Sequence, residues 1–154
     1  IIVMGNDKYD PSDIDKLIGG INEGYFLVQG SRYMKGGSFH NIPMHRVFLS
    51  KFIYSSLFSM MCRRKISDPT NGFRAIKLSL FDDERINIHQ KWLDRYEMEP
   101  YLLYKSIKLG YKLKEVPITV RYPRKEMGYT KMKPITGWWS ILKPLIYLGL
   151  RIKS

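Results

Sequence analysis

Cysteine is the scarcest resource of this sequence. Cys62 stands alone among 154 residues, which excludes an internal disulfide and the usual cysteine-rich zinc modules. The three histidines, His40, His45 and His89, have no metal-ligand spacing and read as loop or surface residues. Long apolar runs are also missing. The 16 residues of 47–62 are mostly apolar but broken by Lys51 and serines, too short for a membrane span, so a buried or interfacial helix is expected. No internal repeat and no low-complexity segment occurs. Acidic residues number 14 against 26 lysines and arginines, a formal charge of +12. Such an excess points to a polyanionic partner: nucleic acid, nucleotide phosphates, lipid phosphate or an anionic membrane surface. With 44% hydrophobic and 26% charged residues the composition is that of a globular chain, of a length for one domain.

The charge is uneven. Residues 1–30 carry two lysines against five acids, −3 net, and the remainder carries +15. The apolar run of residues 1–4 has no basic flank and no cleavage site, and reads as a buried strand already under way. The chain is therefore expected to be the C-terminal part of something longer. Asp10-Pro11 opens a helix, with Asp13 and Asp15 near the positive end of its dipole and Ile14, Leu17, Ile18 and Ile21 on one face. Gly24 ends it, and residues 25–28 form a short strand stopped by Gly30. Strand, helix and strand over residues 1–29 make a βαβ unit and imply an α/β fold with a mainly parallel sheet flanked by helices. Residues 34–45 read as a loop, 73–76 as a strand, 99–109 as a helix closed by Gly110, and 111–120 as a strand. A basic loop follows over 121–136. Residues 137–150 are apolar, with Trp138, Trp139, Lys143 and Pro144.

Four places carry chemistry. Asp7 and Asp10 follow a strand that enters a helix, the edge where parallel α/β sheets bind ligands. They either hold Mg2+ or Mn2+ through oxygen or cap the helix. Ser31 and Arg32 end the second strand, and an arginine there either grips a phosphate bidentately or sits in a surface turn. Asp68, Thr70, Asn71, Gly72 and Arg74 cluster around one turn, where a carboxylate either takes a proton or orients an acceptor, or merely closes an Asx turn. Arg121, Arg124, Lys125, Lys131 and Lys133, against Glu126 alone, run into the paired tryptophans. That is the pattern of a headgroup boundary, or of a solvated charge run before a core helix.

In this order the segments resemble the family 2 glycosyltransferases of the dolichyl-phosphate mannose synthase type, which share a GT-A fold. The family's Asp-x-Asp and Pro-containing helix start correspond to residues 4–7 and Pro11. Gly-Ser-Arg-Tyr is residues 30–33, followed by Lys35-Gly36-Gly37. Arg-x-x-x-Ser matches Arg46 and Ser50. Asp-Pro-Thr-Ser-Gly-Phe-Arg-Ala matches residues 68–75 with Asn71 for Ser. Glu-Val-Pro-Ile-Thr is residues 115–119, and Gly-x-Ser-Lys is matched by Gly128, Tyr129, Thr130 and Lys131. Gly5 replaces the first Asp of the metal motif, and Tyr9 replaces the Gln that often follows the second.

The resemblance implies that residues 1–133 are the C-terminal part of a partial, Rossmann-like GT-A catalytic domain, its nucleotide-binding half missing. Residues 134–154 would be an apolar, interfacial segment. Asp7, with Asp10 possible beside it, would meet the divalent cation at the donor diphosphate. Arg32 would contact a phosphate, and Asp68 would act at the acceptor as base or orienting group. Ser31, Thr70, Asn71 and Gly72 would line the same site, with Arg74 supporting the loop. Arg124 and Lys131 would neutralise the lipid phosphate or leaving diphosphate. The implied activity is inverting transfer from a nucleotide sugar, GDP-mannose or a UDP-sugar, to a dolichyl or undecaprenyl phosphate or a glycan. It would occur at the cytoplasmic face of a membrane, with no nucleic acid expected and the fragment inactive alone. Competing readings are a basic nucleic-acid-binding module, from the charge and 14% aromatics, and an inactive scaffold, from Gly5 and Tyr9.

Overall fold

The computed structural model describes residues 8–93, 97–122, 134–150 and 152. The strand expected at residues 1–4, Asp7, and the basic loop with Arg124 and Lys131 lie outside them.

Helix α1 spans Asp13–Asn22. It starts later than the sequence suggests, because Asp10 closes a turn of its own: its Oδ1 accepts from the Ser12 amide (3.0 Å) and hydroxyl (2.8 Å). Leu17 and Gly20 face the interior, Ile14 and Ile21 are half-buried, and Ile18 faces solvent. Asp13 does more than meet the dipole. Buried, it pairs with Lys16 (2.6 Å) and accepts the Thr119 amide (2.7 Å), tying the helix to a later strand. Gly24 ends the helix at φ +95°, as expected.

Strand β1 is Leu27–Ser31, followed by β2, Ser38–His40. Gly30 does not stop β1 but lies within it, where a Cβ would meet Ile118 Cδ1 at 2.8 Å and the Phe73 carbonyl at 2.9 Å. The expected loop at 34–45 contains β2, brought in by Gly37, whose missing Cβ would stand 2.5 Å from the Ser31 carbonyl oxygen. A continuous helical run follows: α2 Met44–Phe48, a π-helical segment Leu49–Tyr54, and α3 Ser55–Cys62. The widened turn has a visible cause. Ser55 gives both its amide and its hydroxyl (2.9 Å) to the carbonyl of Ser50, five residues back. Then come β3 Arg74–Ile76, a 3-10 turn Leu78–Asp82, α4 Met98–Lys108, β4 Leu113–Pro117, β5 Thr119–Arg121 and α5 Pro134–Gly149. The expected strand at 111–120 is thus two strands. Ile118 breaks it: its amide bonds Ser31 of one sheet and its carbonyl accepts Ser38 of the other.

The main sheet has the order β3-β1-β4, β1 antiparallel to β3 and parallel to β4; β2 and β5 form a second, parallel pair. The mixed, mainly parallel α/β architecture agrees with a partial GT-A fold. Helices cover both faces, as the alternation along β1 demands. Leu27 packs with Tyr54, Phe58, Leu103, Leu113 and Leu145 of the α3–α4–α5 side, and Val28 with Leu17, Ala75 and Val116 of the α1 side. Helix α5 is part of this core through Leu145 and Leu148, while Trp139, Ile146 and Leu150 are exposed. Among the described residues no helix is long and apolar enough to cross a membrane.

Candidate functional site

At the C-terminal end of β1 three polar side chains stand in line across the sheet. Gln29 is the register partner of Arg74 on β3 and of Glu115 on β4, so all three lie on one face. Gln29 and Arg74 are fully buried. An interior amide costs about 1–3 kcal/mol without partners, and a guanidinium, being charged, more. The loop 67–71 supplies those partners. Glu115 accepts the Ser67 amide (2.9 and 3.0 Å), the Ser67 hydroxyl (2.8 Å) and the Asp68 amide (3.2 Å). Gln29 Nε2 donates to the carbonyls of Asp68 (3.2 Å) and Asn71 (2.7 Å). Arg74 donates to the carbonyls of Asn71 (2.6 Å) and Glu99 (2.8 Å). Burial lowers the Arg74 pKa, an effect that Glu99 opposes. Gln29 Oε1 and Arg74 Nε are the buried side-chain atoms left without a partner among the described residues.

The pinned loop aims Asp68 at Arg32. The carboxylate is 0% exposed and the guanidinium 8%. Oδ2 accepts Arg32 Nε (2.7 Å) and the Arg32 amide (3.1 Å); Oδ1 accepts Arg32 Nη2 (2.7 Å) and the Thr70 hydroxyl (3.1 Å). This is a bidentate fork on a carboxylate. Burial alone would weaken the arginine's charge, but the facing carboxylate reverses that and raises its pKa. Arg32 also donates to Thr70 Oγ1 (2.9 Å) and lies over the Tyr33 ring. Tyr33 in turn bonds Ser50 (2.6 Å); as Ser50 Oγ gives its proton to the Arg46 carbonyl (2.8 Å), Tyr33 is the donor.

On the other flank are Lys8 and Tyr9. The pKa of Lys8 is lowered, first by burial and then by the nearby charges of Arg46 and Arg32, so three cations share this side. Tyr9 stacks on Phe73 and bonds Asn71. Among the described residues no group of three or more His, Cys, Asp or Glu is placed to hold a metal ion. The one expected carboxylate described at this edge, Asp10, is turned to Ser12.

Ser31, Arg32, Asp68, Thr70, Asn71, Gly72 and Arg74, dispersed in sequence, therefore gather at one strand end. Ser31 is fully buried, its hydroxyl bonding Ser67 (2.6 Å) and accepting the amides of Tyr33 and Met34 (3.2 Å each). Asp7, Arg124 and Lys131 lie outside the described residues. Sequence reasoning missed Gln29, Lys8 and the supporting role of Glu115. Gln29 had a signal: it is the one polar side chain in an otherwise apolar strand run, 26–29.

No family model matches the chain. Curated relatives do. It is 30% identical over 125 residues to a polyprenol monophosphomannose synthase of Mycolicibacterium smegmatis, covering 81% of this chain and 45% of that protein. It is 28% identical over 146 residues to a dolichyl-phosphate hexose transferase of Haloferax volcanii, covering 94% and 58%. With a dolichol-phosphate mannosyltransferase of Pyrococcus furiosus it shares 35% over 88 residues, 56% and 25% of the two chains. The chain spans about half the length of the first two.

Proposed function

Since the chain belongs to the family 2 glycosyltransferases of the dolichyl-phosphate mannose synthase type, we propose that it forms the acceptor-side half of an enzyme moving a sugar from a nucleotide sugar to a polyprenyl phosphate. The observation that carries this reading is the Arg32–Asp68 fork, held rigid at the edge of β1 by the row Arg74, Gln29 and Glu115. Arg32, whose Nε and Nη2 are taken by Asp68, stands with Lys8 and Arg46 on one side, positive charge that suits a phosphate monoester.

In the proposed reaction a phosphate oxygen of the lipid attacks the anomeric carbon from the face opposite the leaving group. The new C–O bond forms with inversion, and the electron pair of the broken bond leaves on the nucleoside diphosphate. The acceptor is already an anion near neutral pH, so no strong base is needed. Asp68, with both oxygens engaged by Arg32 and Thr70, suits orienting Arg32 better than taking a proton. Mg2+ or Mn2+, held by Asp7, would neutralise charge on the donor diphosphate. Arg124 and Lys131 would face the lipid phosphate or the leaving group. GDP-mannose and UDP-sugars are the candidate donors.

A membrane surface belongs to the same reading, at its cytoplasmic face. The helical run from Met44 to Cys62 exposes Met44, Phe48, Phe52, Leu57 and Met60, with Phe48 and Phe52 ring to ring at 5.6 Å. Residues 24–67 carry seven lysines and arginines and no acid. Apolar side chains framed by cations suit an anionic lipid surface better than nucleic acid.

The test is transfer by the full-length protein in detergent micelles, given undecaprenyl or dolichyl phosphate and a panel of labelled GDP- and UDP-sugars. A polyprenyl-phosphate sugar of inverted anomeric configuration is expected. Absence of product with every pair overturns the reading.

A further inference from the structure

Tyr9 and Asn71, far apart in sequence, touch each other. The Tyr9 hydroxyl donates to Asn71 Oδ1 at 3.1 Å, and its ring stacks on Phe73 at 4.6 Å and 14°. The same Oδ1 accepts the Phe73 amide at 3.0 Å, closing the turn. A serine at 71 could still close that turn, but its oxygen would fall about 1.2 Å, one C=O length, short of the tyrosine. A glutamine at 9 would offer no ring to Phe73. Tyr9 and Asn71 are thus matched to each other in length and chemistry.

The contact also ties together two parts of the chain. Tyr9 belongs to the segment beside β5: it bridges Val120 antiparallel, and the Arg121 amide donates to the Lys8 carbonyl at 2.7 Å. Asn71 belongs to the pinned loop, where its carbonyl takes both Gln29 and Arg74 and its Nδ2 approaches Asp68 Oδ2 at 3.5 Å.

We propose that Tyr9 is a positioning residue whose hydroxyl, through Asn71, locks the Asp68 loop to the Lys8–Tyr9 segment and so holds Arg32 in place for the phosphate of the acceptor. This rests on the phosphate role given to Arg32 above. Tyr9 itself touches no reacting atom. The lock connects the edge expected to face the donor with the loop that aims the acceptor's cation, so a shift of one is felt by the other.

The experiment compares the full chain with Tyr9→Phe, Tyr9→Gln, Asn71→Ser and the Tyr9→Gln/Asn71→Ser pair. Two quantities are read: amide exchange at Arg32 and Phe73, and affinity for undecaprenyl phosphate in detergent micelles. Tyr9→Phe keeps the ring and removes one hydrogen bond. It is expected to speed exchange at both amides and to weaken lipid-phosphate binding about fivefold each, with exchange in α4 unchanged. The paired replacement is expected to cost no more than the worse of its two single changes. Unchanged exchange overturns the lock, as does additivity of the two changes. Faster exchange with unaltered affinity reduces Tyr9 to a structural contact and overturns its positioning role. If the unmodified chain binds no polyprenyl phosphate, it is the phosphate reading that fails, and the exchange comparison still decides the lock.

Discussion

Two regions of this molecule reverse the usual segregation of polar and apolar groups, in opposite senses. At the end of β1, Arg32, Asp68, Gln29 and Arg74 are buried, and nearly every polar atom has a protein partner. Along the run from Met44 to Cys62, Phe48 and Phe52 are 56% and 53% exposed with no core to join. The first arrangement is expensive and is kept only by mutual satisfaction. The second is cheap in water only if something covers it. Their adjacency, through the Tyr33–Ser50 bond, places a buried ion-pair network beside an apolar surface. A lipid phosphate has that same division between head and tail.

The comparison breaks most sharply at Asp68. Asp68→Asn strands Arg32 as a buried, uncompensated charge, and a loss of about 3–5 kcal/mol is expected, a fall in melting temperature of roughly 10 °C, together with loss of transfer. Thermal denaturation alongside the assay checks both; turnover at the original level would remove Asp68 from the site. On the apolar side the effect should appear in binding and not in stability. Phe48→Ser with Phe52→Ser is expected to weaken partitioning onto vesicles of mixed neutral and anionic lipid by about 100-fold, some 3 kcal/mol, at unchanged melting temperature. Flotation with the vesicles measures it, and equal binding would leave the exposed face without the role proposed here. The smallest effect belongs to the support beneath the loop. Glu115→Gln retains an acceptor but loses the charge, so about 1–2 kcal/mol, or some 3–5 °C, is expected by calorimetry. A larger fall would mean that the row across the sheet carries more of the fold than its hydrogen bonds suggest.

Much of this was legible in the chain itself. The apolar spacing of α1, the helix at 98–108 with its closing Gly110, and the strand at 74–76 follow from local periodicity and turn chemistry, which short stretches carry on their own. The clustering of Asp68, Thr70, Asn71 and Arg74 was legible for the same reason. The partner of Asp68 was not. Arg32 is 36 residues away, and no local pattern states that its fork will close on a carboxylate rather than stand open. Gly30 looked like a stop because glycine commonly is one; inside β1 it serves the close approach of Ile118 and Phe73, which is a packing fact.

The sequence by itself determined the class of fold, the basic character and the order of motifs that marks the family, because composition, periodicity and motif order are properties of the chain as written. The tertiary structure alone decided which polar groups neutralise one another and which apolar ones stay outside. Those outcomes depend on cross-sheet register and on what is left to cover a helix face, and neither exists until distant segments meet.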